Sequence, residues 1–196
     1  MKLRLKKISI PIVELRSFIL TLIATLIGVF IAISLTNSGI RKKEKEDTIK
    51  LLKTSKLILI NTRTYSLELS NRIRNLEKDT IDADSIRISK IKKHNPIPFP
   101  NLLETVITTE ILSKNISEYS HNEIYTELIN LKKLADYKTS EIYEQSLSEL
   151  IFLLDLEIQF QKGKFEMSEM QDKMKLKRNE FLKDSAKNNV LEIRTE

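Results

Sequence analysis

The chain has 196 residues, with 33 Lys and Arg against 27 Asp and Glu, which leaves a net charge of +6. It contains no Cys, no Trp, two His and three Gly. These counts exclude disulfide scaffolds, cysteine-ligated zinc sites, thiol catalysis and glycine-rich nucleotide loops. Two His do not suffice for a histidine-clustered metal site, and we expect no cofactor. Few Gly and Pro among many Leu, Ile, Lys and Glu predict an all-α protein.

The N-terminal part of the chain contains one long apolar stretch. It runs from Ser17 to Leu35 without a charged residue or a Pro. A helix of this length rises about 28 Å, close to the hydrocarbon thickness of a bilayer. A buried core helix is rarely apolar on every face, and a cleaved signal peptide has a shorter apolar run followed by a small-residue cleavage site. The stretch therefore predicts a single-pass protein of the inner (cytoplasmic) membrane.

Basic residues flank this stretch on both sides. The net charge is +4 over residues 1–16 and +4 over 41–56, whereas residues 57–161 carry −4. Lys and Arg at these positions suit anionic lipid head groups, whereas an acidic domain does not suit nucleic acid. The predicted partner is the lipid bilayer, without nucleic acid. The residues predicted to contact head groups are Lys6, Lys7, Arg16, Arg41, Lys42 and Lys43.

The orientation in the membrane follows less directly from these charges. A short basic segment such as 1–16 resists translocation, while a long domain crosses largely regardless of its charge. This argument predicts a cytoplasmic N-terminus. The cluster Arg41–Lys43 favours the reverse orientation.

Small residues recur along the apolar stretch at a spacing of four. Ala24, Gly28 and Ala32 would form a ridge on one helix face, which permits close approach of two helices in lipid. The ridge predicts self-association through the span, or docking of a protein partner. The span lacks ionisable residues, which disfavours a pump or a transporter.

The remaining sequence predicts helices separated by two breaks. Apolar residues at helical spacing are typical of either a small helical bundle or a long helical hairpin after the transmembrane helix. The predicted organisation is a basic N-terminal tail (1–16), a transmembrane helix (17–38), a membrane-proximal helix (39–78), a Pro-rich linker (79–100), a helical domain (101–162) and a charged helical tail (163–196).

Local signals refine this organisation. Residues 85–89 alternate like a short strand, and the three prolines between 96 and 100 predict an extended path. Capping boxes predict helix starts at Asn101, with Glu104, and at Ser120, with Glu123. Gly163 is expected to end or bend the long helix before it.

Candidate catalytic and metal-binding residues are few. Arg87 and His94 match the short R-x(4–6)-H pattern of HEPN-type ribonucleases, in which Arg and His face a scissile phosphate. The acidic segment 79–84 lacks the spacing, the Gly and the terminal Glu of a calcium loop. We expect solvated turn acids at Asp79, Asp82 and Asp84, a cap-flanking residue at His121, and an exposed helix face at Glu141, Glu144 and Glu149. We therefore assign no catalytic residue and no metal ligand.

The sequence LIATLIGVFIAISLTN followed by RKKEKE resembles the N-terminal signature of a bacterial family of functionally uncharacterised small single-span membrane proteins with a helical soluble domain. Gly28, Ile31, Ala32 and Asn37 match that signature, whereas Ser38 stands where the family has an aromatic residue. The segment ETVITTEILSKNISEYSHNEIYTELINL is similar to the family's second helical block. The resemblance implies the architecture and no activity.

Three functional hypotheses follow. The first is a membrane-anchored helical interaction or scaffold protein that forms a homo-oligomer or binds a protein partner and lacks intrinsic catalysis. The second is an oligomeric membrane-disrupting or pore-forming effector. The third is a HEPN-type ribonuclease that uses Arg87 and His94.

Overall fold

The computed structural model describes the backbone of residues 12–78 and 85–187, and the side chains of 20–78 and 85–183. The described residues form seven α-helices and one short 3₁₀ turn, so the fold is all-α as predicted. The helices are α1 (Ile12–Lys78), α2 (Ser85–His94), α3 (Asn101–Ile107), α4 (Glu110–Asn115), α5 (Glu118–Leu134), α6 (Ser140–Gln161) and α7 (Met167–Lys187), and the 3₁₀ turn is Tyr137–Thr139.

The chain divides into two structural units, Met1–Glu44 and Lys45–Glu196. In the first unit α1 is helical from Ile12, and every described side chain from 20 to 44 is exposed. This part of α1 is long and apolar enough to cross a membrane. A membrane anchor and a signal sequence share these properties, but the core helix of a soluble protein would be largely buried.

The second unit is a helical bundle with α6 at its centre. Residues on all sides of α6 are buried, including Tyr143, Leu147, Leu150 and Leu154, as expected for a helix surrounded by others. The continuation of α1 lies antiparallel to α6, because Lys56 pairs with Asp155 and Arg74 with Glu141 at the other end.

α5 and α7 complete the bundle around α6. α6 ends in a glycine cap: the N–H of Gly163 donates to the Phe160 carbonyl at 2.8 Å, and that of Lys164 donates to the Gln159 carbonyl at 3.1 Å. Gly163 has a φ of +71°, which suits glycine, so the prediction that it ends the long helix is confirmed. The chain then reverses into α7, whose Met170 and Met174 are buried.

The segment before α3 packs onto this bundle. Residues 96–99 lie outside any helix, as the prolines predict, and Ile97 lies in the core. The hydroxyl of Tyr143 donates to the Pro98 carbonyl, and that of Tyr137 donates to the Asn95 carbonyl. These two bonds fix the path between α2 and α3.

Three local predictions are wrong. Residues 85–89 open α2 rather than a strand, because an isolated strand would leave its backbone unpaired whereas a helix pairs it internally. α3 begins at Asn101 as expected, but its cap is Pro100 and no side chain caps it. α5 begins at Glu118, and its cap is Ser117, whose hydroxyl accepts from the Ser120 N–H at 3.1 Å. The predicted start at Ser120 is thus three residues late.

Candidate functional site

The exposed surface of the first unit carries the small-residue ridge. Ala24, Gly28 and Ala32 are all exposed on α1, and a Cβ at Gly28 would meet no atom within 4 Å. The hydroxyl of Thr25 donates to the Thr21 carbonyl at 2.8 Å, and that of Thr36 donates to the Ala32 carbonyl at 2.9 Å. Because these hydroxyls are paired within their own helix, this surface suits lipid or a close helix neighbour.

Three of the six residues predicted to contact head groups have side chains that the structure describes. Arg41, Lys42 and Lys43 follow the apolar stretch on α1 and are exposed. Arg16 lies in α1, but its side chain falls outside the described residues, as do Lys6 and Lys7 altogether. The three visible cations are available to anionic groups.

The ribonuclease candidates Arg87 and His94 both lie on α2, two helical turns apart, and both are exposed. The His94 Nδ1 atom is 2.7 Å from the Lys90 carbonyl, so Nδ1 carries a hydrogen and Nε2 remains for other contacts. Neither residue lines either of the two cavities that are described below. The pair is brought together by helical periodicity alone.

The acidic candidates have different surroundings. Asp79, Asp82 and Asp84 lie outside the described residues. Glu141 pairs with Arg74 at 2.9 Å. Burial raises the pKa of the half-buried Glu144 carboxyl, although Ser70, Arg63 and Arg74 act in the opposite direction.

Glu149 contradicts the prediction of an exposed helix face, since it is only 5% exposed. A guanidinium from α7 explains its burial. Arg178 Nε lies 3.6 Å from Glu149, and the same side chain contacts Glu127 at 3.5 Å and hydrogen bonds Glu123. Burial lowers the pKa of Arg178, but these carboxylates raise it by a larger total amount. The cluster joins α5, α6 and α7, and no group of His, Asp and Glu among the described residues is arranged to hold a metal ion.

Sequence reasoning also missed Glu157, a carboxylate with no exposed surface. It accepts from the Ser117 N–H at 3.0 Å, from the hydroxyls of Ser117 and Ser120 at 2.7 Å each, and from Gln161 at 2.8 Å. Its position at the N-terminus of α5 adds the helix dipole to these bonds. The local sequence around Glu157 does not indicate that it is buried, because its serine partners are 37 and 40 residues away in the chain.

His121 lies four residues after the cap Ser117, whereas the sequence predicted that it would flank the cap. It is half-buried in the first turn of α5, and its backbone N–H donates to the Ser117 carbonyl at 2.9 Å. Its backbone therefore takes part in the first turn of α5.

Two open cavities lie on the second unit. A cleft of about 280 Å³ between α1, α2 and the start of α6 is lined by the ion pairs Arg74–Glu141 and Lys92–Glu77, with Lys138 beside them. A groove of about 400 Å³ between α3 and α5 is more apolar, with Ile107, Tyr125 and Ile129 in its walls. Its charged pair, Glu104 and Lys132, spans the groove at 2.5 Å.

Neither cavity holds an arrangement of nucleophile, base and orienting group. Apart from Lys138, the charged residues that line them are paired with each other. No protein-family model, curated protein or solved structure matches this chain.

Proposed function

We propose that this protein is a single-pass, membrane-anchored interaction protein whose helical bundle is displayed at the surface of the inner membrane. The observation that carries the proposal is the contrast within α1. Its apolar residues from 20 to 40 are all exposed, whereas the same helix beyond Lys45 buries Leu52, Leu59 and Leu69. An apolar surface of this size is costly in water and stable in lipid.

Membrane extraction tests the anchor. We expect the full chain to stay in the membrane pellet after carbonate and high-salt washes. Replacing both Ile27 and Ile31 with Arg places two charges near the centre of the span, each costing about 3 kcal/mol on insertion scales, and should release the chain. The control Glu46→Arg adds positive charge outside the apolar stretch and should leave the chain in the pellet. Recovery of the unmodified chain in the supernatant contradicts the proposal.

Self-association through the span is the second part of the proposal. Gly28 sits at the middle of the small-residue ridge, so Gly28→Ile puts a branched side chain where two helices would lie closest. Insertion is preserved because Ile is at least as apolar as Gly, whereas association should weaken by about 1–2 kcal/mol, or about tenfold. A transmembrane-association reporter compares this variant with Val29→Ile on another face. If both variants associate as strongly as the parent, the small-residue ridge is not the contact between the helices.

The orientation belongs to the same proposal. We infer a cytoplasmic N-terminus from the five Lys and Arg that precede the span. A reporter fused after Glu196 should then be active only outside the cytoplasm. Activity in the cytoplasm alone would indicate the opposite orientation, without contradicting the membrane anchor.

The proposal includes no catalytic activity. Arg87 and His94 share a face of α2 and line neither of the two cavities described above, which supports a surface role. Incubation of the purified chain with single-stranded RNA is the direct test. Cleavage that His94→Ala abolishes, with the fold unchanged, favours the ribonuclease hypothesis instead.

A further inference from the structure

α2 presents an exposed basic face. It carries Arg87, Lys90, Lys92, Lys93 and His94 and no acidic residue. None of its residues is buried, and the half-buried ones are Ile88, Ile91 and Lys92. Arg87, Lys90 and Lys93 are exposed and form no ion pair within the described part of the chain.

The rotation of α2 is fixed by contacts on its inner side. Lys92 pairs with Glu77 at 2.6 Å, and its ammonium lies 5.5 Å from the centre of the Tyr137 ring. Tyr137 also donates to the Asn95 carbonyl, and the Asn95 amide caps the helix by donating to the Ile91 carbonyl at 2.9 Å. Because Lys92 is held inward, the remaining cations are directed outward as a set.

The outer face also carries one large apolar side chain, Ile86, which is 69% exposed. A short helix that combines outward cations with a protruding aliphatic side chain is typical of binding at the interface of an anionic membrane. Nucleic acid would use the cations but not Ile86, and residues 85–94 contain no Phe, Tyr or Trp on which a base could stack.

We propose that the outer face of α2 (Ile86, Arg87, Lys90, Lys93 and His94) binds the anionic phospholipid head groups of the bilayer that holds the span. This inference rests on the proposed anchoring. Each basic residue near an anionic surface contributes about fivefold in partitioning (about 1 kcal/mol), so three give about a hundredfold. That is weak for a free protein, but an anchored one is held at high effective concentration beside the lipid.

Two features of the chain set the conditions for this contact. α1 is helical through Ser38 and Gly39, which is the kind of pair at which helices bend, so contact of α2 with the bilayer would use a bend at this point. Asp79, Asp82 and Asp84 precede α2 in the sequence and oppose the attraction. A bilayer rich in anionic lipid is therefore the suitable probe.

The natural absence of Cys allows a single labelling site on the full chain. Ser89→Cys, next to Lys90 on α2, carries an environment-sensitive fluorophore, and the chain is reconstituted in nanodiscs of phosphatidylcholine alone or mixed equally with phosphatidylglycerol. We expect a blue shift only in the anionic nanodiscs, and its loss at high salt. Lys90→Glu with Lys93→Glu should abolish the shift, and Ile86→Ser should reduce it.

A matched control reverses two exposed lysines elsewhere, Lys162→Glu with Lys164→Glu, and should keep the shift. No difference between the two lipid compositions, or a shift that survives reversal of Lys90 and Lys93, overturns the inference. A comparable shift in neutral nanodiscs on adding RNA or an acidic peptide assigns the face to that partner and also overturns it. Failure of the anchor is seen separately, as a chain that does not co-elute with the nanodiscs.

Discussion

The carboxylate of Glu157 accepts hydrogen bonds from Ser117, Ser120 and Gln161 while none of its surface is exposed. The Ser120 hydroxyl also lies 3.8 Å from the Met170 sulfur, so the network reaches α7. The carboxylate adds acceptors from another helix to the ordinary cap that Ser117 gives α5. It thereby fixes where α5 begins relative to α6.

Removing this carboxylate should destabilise the bundle strongly. Glu157→Ala leaves several buried donors without an acceptor, each costing about 1–3 kcal/mol, and we expect a total loss of about 3–5 kcal/mol. Glu157→Gln should cost less, because one amide oxygen still accepts. Urea unfolding followed by circular dichroism measures both. The exposed Glu68→Ala should change stability by less than about 0.5 kcal/mol, and an equally small effect at Glu157 would show that the network contributes little.

Glu144 is a second carboxyl of α6 and is half-buried. Burial raises the pKa of its carboxyl, with Glu141 adding to the rise and Ser70, Arg63 and Arg74 opposing it. A carboxyl whose folded-state pKa is raised favours the protonated folded protein. Its contribution to stability is complete below the ordinary value of 4.5 and is lost as the pH rises through the folded-state pKa.

Glu144→Gln should therefore stabilise the protein at pH 7 and leave its stability unchanged near pH 4. One pKa unit corresponds to about 1.4 kcal/mol, and partial exposure screens the effect, so we expect a gain of up to about 1 kcal/mol. Thermal unfolding of variant and parent at both pH values gives the difference. Glu68→Gln should show no comparable pH dependence. A loss of stability at pH 7 for Glu144→Gln would contradict a Glu144 pKa that burial raises.

The contact between α1 and α6 differs from the rest of the core. The inner line of α1 alternates steps of three and four residues, as in a coiled coil, through Leu52, Ser55, Leu59, Thr62, Ser66, Leu69 and Ile73. The hydroxyls of Ser55 and Ser66 are buried without a hydrogen-bond partner among the described residues. Each such group costs free energy in a dry interface.

Ser66→Ala should consequently raise stability. The gain combines about 0.5 kcal/mol of helix propensity with about 1 kcal/mol from removing the unpaired hydroxyl. Ser89→Ala serves as the reference, because Ser89 is exposed on α2 and its replacement changes only the helix propensity. Both are measured by denaturant unfolding of the full chain in detergent. Equal effects at the two positions would indicate that water or another group already satisfies the Ser66 hydroxyl.

Helical spacing predicted most elements because it is a local property of the sequence. The glycine cap at Gly163 and the extended prolines also follow from local backbone preferences. The buried line of α1 needs the structure. Tyr65 is exposed although it lies at heptad spacing from Leu51 and Ile58, whereas Ser55 and Ser66 are buried. Glu149 and Glu157 depend on partners from distant helices, which no short-range pattern encodes.

The candidate surfaces divide in the same way. The apolar stretch and its ridge could be located from the sequence, because lipid acts on each residue of one helix separately. The basic face of α2 could not, since residues 57–161 are acidic as a whole and only the inward position of Lys92 shows which cations face outward. The net charge of a whole domain therefore does not indicate whether one of its helices is basic.

At the scale of the whole molecule, the two units have separate sources of stability. Among the described residues the buried ones begin at Thr48, so the core of the bundle contains nothing from the first unit. None of the described side chains of the first unit, 20–44, is buried, so this unit depends on its surroundings. This separation predicts that the bundle folds without the apolar stretch.

A chain of residues 45–196 should stay in solution without detergent, keep the helical circular dichroism of the bundle, and unfold cooperatively. Its midpoint should lie within a few degrees of that of the full chain in mild detergent, because every described side chain that is removed, 20–44, is exposed. Glu157→Ala introduced into both chains should lower both midpoints by a similar amount, since the Glu157 network lies entirely beyond residue 45. A shortened chain that aggregates or loses helicity, while the full chain remains folded in detergent, would mean that the membrane-proximal residues stabilise the bundle after all.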